Sequence, residues 1–539
     1  MFESTISLKI AGLTKGKIPG PTGFQVELFK YIGRPGSELL SSFFVKCWRL
    51  KKIPSSWTRA QIVPVLKKGD LSYISNYRPI SLTEGLRKIF EHCLLKALEL
   101  KIHPIHPAQG GFRPGHCCND LIAILQQSSV RRCKIFYAFL DIKAAYDSVD
   151  RSLLWEKCTR KGIGSDELTF LKLLFDTNSS SVLVDGFSSD PFRNKAGVLQ
   201  GSVLSPFLYS IFIDDLPRRL DSLPKVSINS LQANCLLYAD DVVLFAQSQA
   251  ELQALVEESQ RHAIENRFQF NVDKCVVLAA QDININLHGK PIIQEESFRY
   301  LGVDITNKGI DVDMFLERRI KETLNACNLL SRIGMNSGGL SIQACSLLYK
   351  CFIRSKLEAS LCILPLTTSH LKSIESAQQK MMAIVLGVGP KTSGTIMRSL
   401  LNLPRMAFRV KWLRTSFCRR FVKLNSCYLS RKAMASPNSH VYRLAQNIYP
   451  DHIGRKDLAR LEMADVNAMT CVSTNGHLSI PSQRSTLSTL SSLPRDDARI
   501  LYLWLLKKFP AREPPTCSHC FLFSASQSHI AECTQILEL

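Results

Sequence analysis

Three aspartates stand where short apolar runs end. Phe136-Tyr137-Ala138-Phe139-Leu140 is apolar on both faces and closes on Asp141, while Cys235-Leu236-Leu237-Tyr238 and Val242-Val243-Leu244-Phe245 flank Ala239-Asp240-Asp241. A strand buried on both faces would deliver one carboxylate at its C-terminal end, and two strands joined by a tight acidic turn would carry two more at a hairpin tip. Side by side, the three would form a charge cluster tolerable only with cations among them, and Mg²⁺ is the natural occupant. Two such ions about 3.5–4 Å apart activate an attacking hydroxyl and stabilise the departing oxygens of an in-line phosphoryl transfer. An Asp-Asp pair alone is as readily a turn, so the neighbouring segments must decide.

Those neighbours supply the scaffold. After Lys143 a helix is expected to begin and run through Leu153, Leu154 and Trp155. Gly197, Gly201 and Ser202 allow backbone to approach a ligand closely, and Ser205-Pro206 is an N-cap and first-turn pair for the apolar helix beyond. From Trp57 to about Ile305, strand-like runs alternate with helical patterns, the signature of a mixed α/β domain. Upstream, the Gly/Pro-rich loop Gly16 to Gly23 precedes an amphipathic stretch with Leu28, Phe29, Leu39, Leu40, Phe43 and Phe44. No internal repeat is found.

Composition narrows the partners. A chain of 539 residues exceeds one hydrophobic core and suggests two to four domains. Its 68 Lys plus Arg against 46 Asp plus Glu give a net charge of +22, which favours a polyanion such as nucleic acid. Ten Lys/Arg and no acid fall between Leu401 and Pro450. The 18 scattered cysteines, with no secretory signal after Met1, read as free thiols in a reducing intracellular compartment, the nucleus included. Apolar runs such as Phe207 to Ile213 fall well short of the ~20 residues of a membrane span, so no membrane partner is expected.

At this point the sequence resembles a known family. Phe139-Leu140-Asp141-Ile142-Lys143-Ala144-Ala145-Tyr146-Asp147 and Tyr238-Ala239-Asp240-Asp241 look like the two metal-binding motifs of reverse transcriptases, in the family's order. Between them, Gly197-Val198-Leu199-Gln200-Gly201-Ser202-Val203-Leu204-Ser205-Pro206 resembles the nucleotide-pocket motif. Ile62 to Asp70 and Asn76-Tyr77-Arg78-Pro79-Ile80-Ser81-Leu82 resemble the fingers motifs of non-long-terminal-repeat (LINE-like) retrotransposon enzymes, and Gln109 to Gly115, Asn271 to Lys274 and Phe298 to Gly302 are also family-like.

The resemblance implies an α/β (α+β) right-hand polymerase with fingers, palm and thumb, followed by a mainly helical basic C-terminal region. It implies RNA-directed DNA synthesis on an RNA template from a DNA primer, with deoxynucleotide triphosphates as substrates and two Mg²⁺ ions held by Asp141, Asp240 and Asp241. Lys67, Lys68 and Arg78 would meet the triphosphate, and Arg would do so bidentately. Arg113 would pack near template and nucleotide, Gln200 and Gly201 would line the pocket, and Lys274 would serve the pyrophosphate as general acid. Tyr146 matches the steric gate that selects against a ribose 2′-hydroxyl. His116-Cys117-Cys118 departs from the pattern and reads as a packing variant.

The expected organisation is an N-terminal segment 1–56, fingers and palm 57–305, a helical thumb 306–400, a basic helical region 401–472, a linker 473–494 and a C-terminal segment 495–539. In the thumb, Arg318, Arg319 and Lys321 would follow the duplex backbone. In the basic region, Trp412, Phe417 and Phe421 alternate with Arg414, Arg419 and Arg420, a mixture suited to RNA stacking and equally to an amphipathic helix. Cys517, Cys520, His529 and Cys533 have a Cys-x2-Cys-x8-His-x3-Cys spacing that fits tetrahedral Zn²⁺, with His519 a rival ligand. Elements of this kind usually encode an endonuclease, and neither the short stretch before Gly16 nor the six residues after Cys533 fits one, so a product lacking it is expected. Two other readings stay open: a catalytically inactive RNA-binding remnant and a group II intron maturase-like enzyme. Oligomeric state is not legible.

Overall fold

The computed structural model describes residues 6, 8, 10–13, 16–67, 69–129, 135–228, 231–335, 340–389 and 391–424, with 428, 429, 431, 443 and 444. Among these, residues up to Ile124 with Ser128–Phe298 and 428–429 form one compact unit, and Leu125–Gln127 with the residues from Arg299 onward form a second.

The first unit is built on two sheets. Helix α1 (Gly33–Leu50) leads to strand β1 (Arg59–Leu66), which pairs antiparallel with β2 (Tyr77–Thr83). Helices α2 (Gly85–Glu99) and α3 (Cys118–Ser129), strand β3 (Phe136–Leu140), helices α4 (Arg151–Arg160) and α5 (Ser165–Phe175), and strand β4 (Ser179–Val184) follow. Strand β4 returns to lie parallel to β1, with Ala60 opposite Ser180. Pro64 faces Pro79 across the β1–β2 pair. Two residues without N–H are tolerated there because the pairing of β1 with β4 has already ended at Ile62.

The second sheet carries the acidic motifs. Beyond helices α6 (Ser205–Ile213) and α7 (Asp215–Leu220) come β5 (Cys235–Tyr238), β6 (Asp241–Ala246), helix α8 (Gln249–Glu265), β7 (Val276–Leu278) and β8 (Ile293–Gln294). The order is β8-β7-β3-β6-β5, so β3 lies in the middle, antiparallel to both neighbours. All five of its residues are buried, as an apolar run on both faces requires. Leu208, Phe212, Leu252 and Val256 from α6 and α8 join Ala138, Leu140, Val242 and Leu244 in one core. Each large side chain so buried contributes about 1.5–3 kcal/mol, and together they fix where the strands end.

Two boundaries differ from expectation. The helix after Asp141 starts at Arg151 rather than after Lys143. Ala144 adopts φ +49°, and its carbonyl accepts from the amides of Asp147 and Ser148, closing a turn. Asp150 then caps the helix by accepting from the Leu153 amide at 3.1 Å. Ser205 lies inside α6 and fully buried, Leu204 occupies the cap position, and Pro206 sits in the first turn.

The second unit is mainly helical. A short hairpin, Val303–Thr306 with Gly309–Ile310, precedes α9 (Val312–Leu330), and α10 (Thr368–Leu386), α11 (Gly394–Leu401) and α12 (Met406–Val422) follow. Thr367 and His370 form a capping box at the start of α10, and Gly387 at φ +63° ends it. Arg318 and Arg319 are not held out for a nucleic-acid backbone. Arg318 donates to Asp304, Glu322 and the Gly302 carbonyl, and the buried Arg319 also donates to that carbonyl. Lys321, in contrast, is exposed. On α12, Phe417 is buried and Arg414 donates to the Leu364 carbonyl at 2.9 Å, so the apolar-face reading holds for these two residues and removes them from RNA stacking. Among the described residues no helix is long and apolar enough to cross a membrane. The 473–494 linker and the Cys517, Cys520, His529 and Cys533 cluster lie outside the described residues.

Candidate active site

Register brings the acidic motifs together. Leu140 pairs with Val242 and Phe139 with Val243 in the antiparallel ladder, so the next position along β3, Asp141, falls beside Asp241 at the start of β6. Asp241 also pairs with Tyr238 across the hairpin, which leaves Ala239 and Asp240 as the turn. Ala239 adopts φ +59°, a left-handed conformation rare for a residue with a Cβ, and it is held there from outside the hairpin. The fully buried Gln109 accepts from the Ala239 amide at 3.0 Å and from the Gly111 amide at 2.7 Å, and its Nε2 donates to the Ala239 carbonyl at 3.4 Å. A Cβ on Gly111 would lie 2.3 Å from the Ala239 nitrogen, so only glycine fits this approach. On the other flank, the Asp141 carbonyl accepts from the Asn271 amide at 2.8 Å and the Lys143 amide donates to the Gln269 carbonyl.

The electrostatics of the tip follow from this crowding. Burial, then the nearby Asp141, raise the pKa of Asp240 above the usual carboxylate range, while a backbone hydrogen bond and Arg78 pull the other way. Asp241 has accessible surface, yet its carboxyl is surrounded by dense protein. That partial loss of water, then Asp240, then Asp141, push it up to about 6. Mutual repulsion of this kind is what a divalent cation relieves. Among the described residues, however, no three His, Cys, Asp or Glu side chains are gathered closely enough to hold a metal ion by themselves. The donor set still fits Mg²⁺, which is typically bound by one or two carboxylates together with substrate phosphates and water.

The cationic and pocket residues expected from the motifs divide into those that reach this site and one that does not. Arg78, on β2 and exposed, acts electrostatically on Asp240. Lys67, just past β1, acts likewise on Asp147, whose acidity is otherwise weakened by burial. Lys274 Nζ lies 3.8 Å from Asp141 Oδ2 and remains largely exposed. Tyr146 stacks face to face on the buried Tyr209 at 5.3 Å and meets the edge of Phe112 at 6.3 Å. Burial, then Asp240, raise its phenol well above the usual range, so it stays a neutral, fixed ring beside the carboxylates. The carbonyl of Gln200 accepts from the Ser81 amide at 2.7 Å and its side chain reaches Asp147 at 3.5 Å. Gly201, at φ +139°, lies so close to β2 that a Cβ would sit 2.3 Å from the Ser81 oxygen. Arg113 turns elsewhere: its guanidinium donates to the His106 and Gln109 carbonyls and lies over the Tyr428 ring at 4.3 Å. Lys68 lies outside the described residues.

Other motif residues have structural partners. Asp214 is fully buried, bonded to Lys161, to Arg218 at 2.7 Å and to the His106 amide at 2.6 Å, and Asp215 pairs with Lys157 at 2.9 Å, so the Asp214-Asp215 pair does not join Asp240-Asp241. Cys117 donates from its amide and its thiol to Asp120, and His116 meets that carboxylate at 3.5 Å. Gln109 was visible only as part of a Gly-rich motif, and its bracing role depends on a hairpin 130 residues away.

Comparison with known proteins agrees with this geometry. Residues 65–305 match the family model described as reverse transcriptase (RNA-dependent DNA polymerase). The chain is 26% identical over 320 residues to the Pol polyprotein from type-2 retrotransposable element R2DM of Drosophila melanogaster, covering 56% of this chain and 30% of that protein. It is 24% identical over 473 residues to the RNA-directed DNA polymerase from mobile element jockey of Drosophila funebris, covering 82% of this chain and 51% of that one. Against the jockey polymerase of Drosophila melanogaster the coverage is 56% and 34%. The chain therefore spans about a third to a half of the length of these curated relatives. A solved telomerase from Candida tropicalis with a TWJ fragment of telomeric RNA aligns at 12% identity and a TM-score of 0.39 over 86% of this chain and 68% of that one. Across residues 65–305, in motif order, sheet and relatives alike, this part of the chain is similar to the reverse transcriptases of non-long-terminal-repeat retrotransposons.

Proposed function

We propose that this chain extends a primer 3′-hydroxyl with deoxynucleotides on an RNA template, by two-metal phosphoryl transfer. The observation that carries the reading is the β3–β6 register, which sets Asp141 beside Asp241 with Asp240 at the adjoining turn. Bound Mg²⁺ would supply charge neutralisation at the phosphoryl oxygens and a more acidic attacking hydroxyl. Asp141, Asp240 and Asp241 would hold it jointly with the substrate phosphates. Arg78 and Lys67 would neutralise and orient the triphosphate, Arg78 as a planar fork and Lys67 as a point charge. The Tyr146 ring, pinned between Tyr209 and Phe112, would occupy the space a 2′-hydroxyl needs. Lys274, near Asp141, would give a proton to the leaving pyrophosphate. Arg113 keeps a bracing role beneath the Gly110-Gly111 turn.

The template, primer and deoxynucleotides are the partners this reading requires, and the net charge of +22 supports nucleic-acid affinity largely independent of sequence. Primer extension on a homopolymeric RNA with Mg²⁺ tests it directly. Asp240→Asn is expected to lower incorporation by at least 10³-fold, in the range lost when charge-stabilising groups at a transition state are removed. Substantial incorporation by that variant would remove Asp240 from the metal site. Retained RNA binding by a parent protein that never incorporates would instead select the inactive remnant.

A further inference from the structure

The turn Gln200-Gly201-Ser202-Val203 is tied to the protein interior by a charged pair that no motif reading singled out. Arg87 and Glu91, one turn apart on α2, are both completely buried, with Arg87 Nε 2.7 Å from Glu91 Oε1. The other carboxylate oxygen accepts from Ser202 Oγ at 2.9 Å and from the Val203 amide at 2.8 Å. Arg87 reaches the opposite way, donating to the Trp57 carbonyl at 2.6 Å and to Asn178 Oδ1 at 3.1 Å, just before β1 and β4 begin. One continuous set of buried bonds therefore joins the base of the first sheet to the Gly201 turn. The turn meets β2 as well, through the bond from the Ser81 amide to the Gln200 carbonyl at 2.7 Å.

Burying two charges is costly, and an apolar pair of similar volume packs as well or better, so stability alone does not explain this arrangement. What a carboxylate adds is two acceptors in a fixed plane. One oxygen is spent on Arg87, and the other fixes a backbone amide in a turn whose glycine leaves no room for an anchoring side chain. We propose that Glu91, oriented by Arg87, is a positioning residue that sets the height of the Gln200–Val203 turn and thereby the fit of the incoming nucleotide. This rests on the polymerase reading, and the prediction concerns nucleotide fit rather than template affinity.

The test compares Arg87→Met/Glu91→Gln with Arg87→Met/Glu91→Met in the full chain. Both lose the ion pair, so its stability cost is common to them. Only the Gln variant keeps an acceptor for the Val203 amide and the Ser202 hydroxyl. The KM for deoxynucleotide is expected to be about tenfold higher in the Met variant than in the Gln variant, the scale set by one buried donor left unmatched. Primer–template affinity is expected to be equal in the two, with kcat differing less than KM. Ser202→Ala, which leaves the ion pair whole, should raise KM about two- to threefold. Hydrogen exchange of the peptide spanning residues 200–205 provides a readout without activity: protection kept with Gln and lost with Met supports the proposal. Equal KM values, or equal exchange in the two variants, would overturn it. A parent protein that incorporates no nucleotide defeats the polymerase reading instead, while the exchange comparison still decides the role of Glu91.

Discussion

Removing one carboxylate from the hairpin tip should make the metal-free protein more stable, not less. Asp241 is pushed up to about 6 from the 3.8 of an ordinary aspartate, by partial loss of water and then by Asp240 and Asp141. A folded-state pKa above the unfolded one means that the folded protein binds the proton more tightly. The contribution of this group is therefore most favourable below about pH 4, and stability is lost as the pH rises from about 4 to about 6. At 1.36 kcal/mol per pKa unit the shift would amount to about 3 kcal/mol, and because the residue retains accessible surface, solvent screening reduces this to about 1 kcal/mol. Asp241→Asn should thus raise the urea midpoint in EDTA at pH 7.5 by the equivalent of about 1 kcal/mol. The gain should shrink as the pH is lowered from 6 toward 4. Millimolar Mg²⁺ should reverse the order, stabilising the parent by mass action and leaving the variant nearly unmoved. Because Asp240 titrates in the same field, the inflection belongs to the cluster rather than to one residue. If parent and variant unfold together at both pH values and neither responds to Mg²⁺, the reasoning that the three carboxylates repel one another and await a cation is wrong.

Two further outcomes follow from the same geometry. Tyr146→Ala should relax discrimination against ribonucleotides by at least tenfold in single-nucleotide incorporation, whereas Tyr146→Phe should keep it because the ring, not the hydroxyl, fills the space; equal discrimination in all three proteins would refute the gate. Gln109→Leu removes the acceptor for two backbone amides, and should cost about 2–3 kcal/mol in chemical denaturation while lowering kcat by more than tenfold, a loss that preserved binding of primer–template would localise to the hairpin tip.

The acidic hairpin and the buried strand were legible because their physics is local. A five-residue apolar run ending in an aspartate, and two such runs around Asp-Asp, have few other uses, and the ladder then follows from alternation and tight turning. Arg78 and Lys67 were expected only through the resemblance of their segments to fingers motifs, and the fold sets their charges within reach of Asp240 and Asp147. The supports were not. Gln109, Glu91 and Asn271 act by bonding backbone groups far away in sequence, at separations of 130, 112 and 130 residues, and nothing in their own neighbourhoods records those partners. Arg113, Arg318 and Arg319 show the converse error: each sits in a stretch where a cation suggests nucleic acid, yet each finds carbonyls or carboxylates within its own unit. Whether an arginine serves a ligand or the fold depends on acceptors that only tertiary structure brings near.

Three residues bearing a Cβ have left-handed backbone around the site: Phe112 at φ +58°, Ala144 at +49° and Ala239 at +59°. Each costs of order 1 kcal/mol, and at Ala144 and Ala239 the bonds already described supply the compensation. Ala239 is the informative one, since its conformation aims Asp240 and its amide is fixed by Gln109. In Ala239→Gly the strain disappears, but glycine's greater freedom in the unfolded chain takes back about as much, so stability should stay within about 0.5 kcal/mol of the parent. Catalysis should respond differently. A turn that no longer resists other conformations holds Asp240 less firmly, and a misplacement of even about 1 Å can cost about a hundredfold in rate. The expected result is a kcat several-fold lower with an unchanged KM for deoxynucleotide and an unchanged denaturation midpoint. A variant with parental kcat would mean that Gln109 alone sets the tip and that the left-handed alanine contributes nothing to aiming the carboxylate.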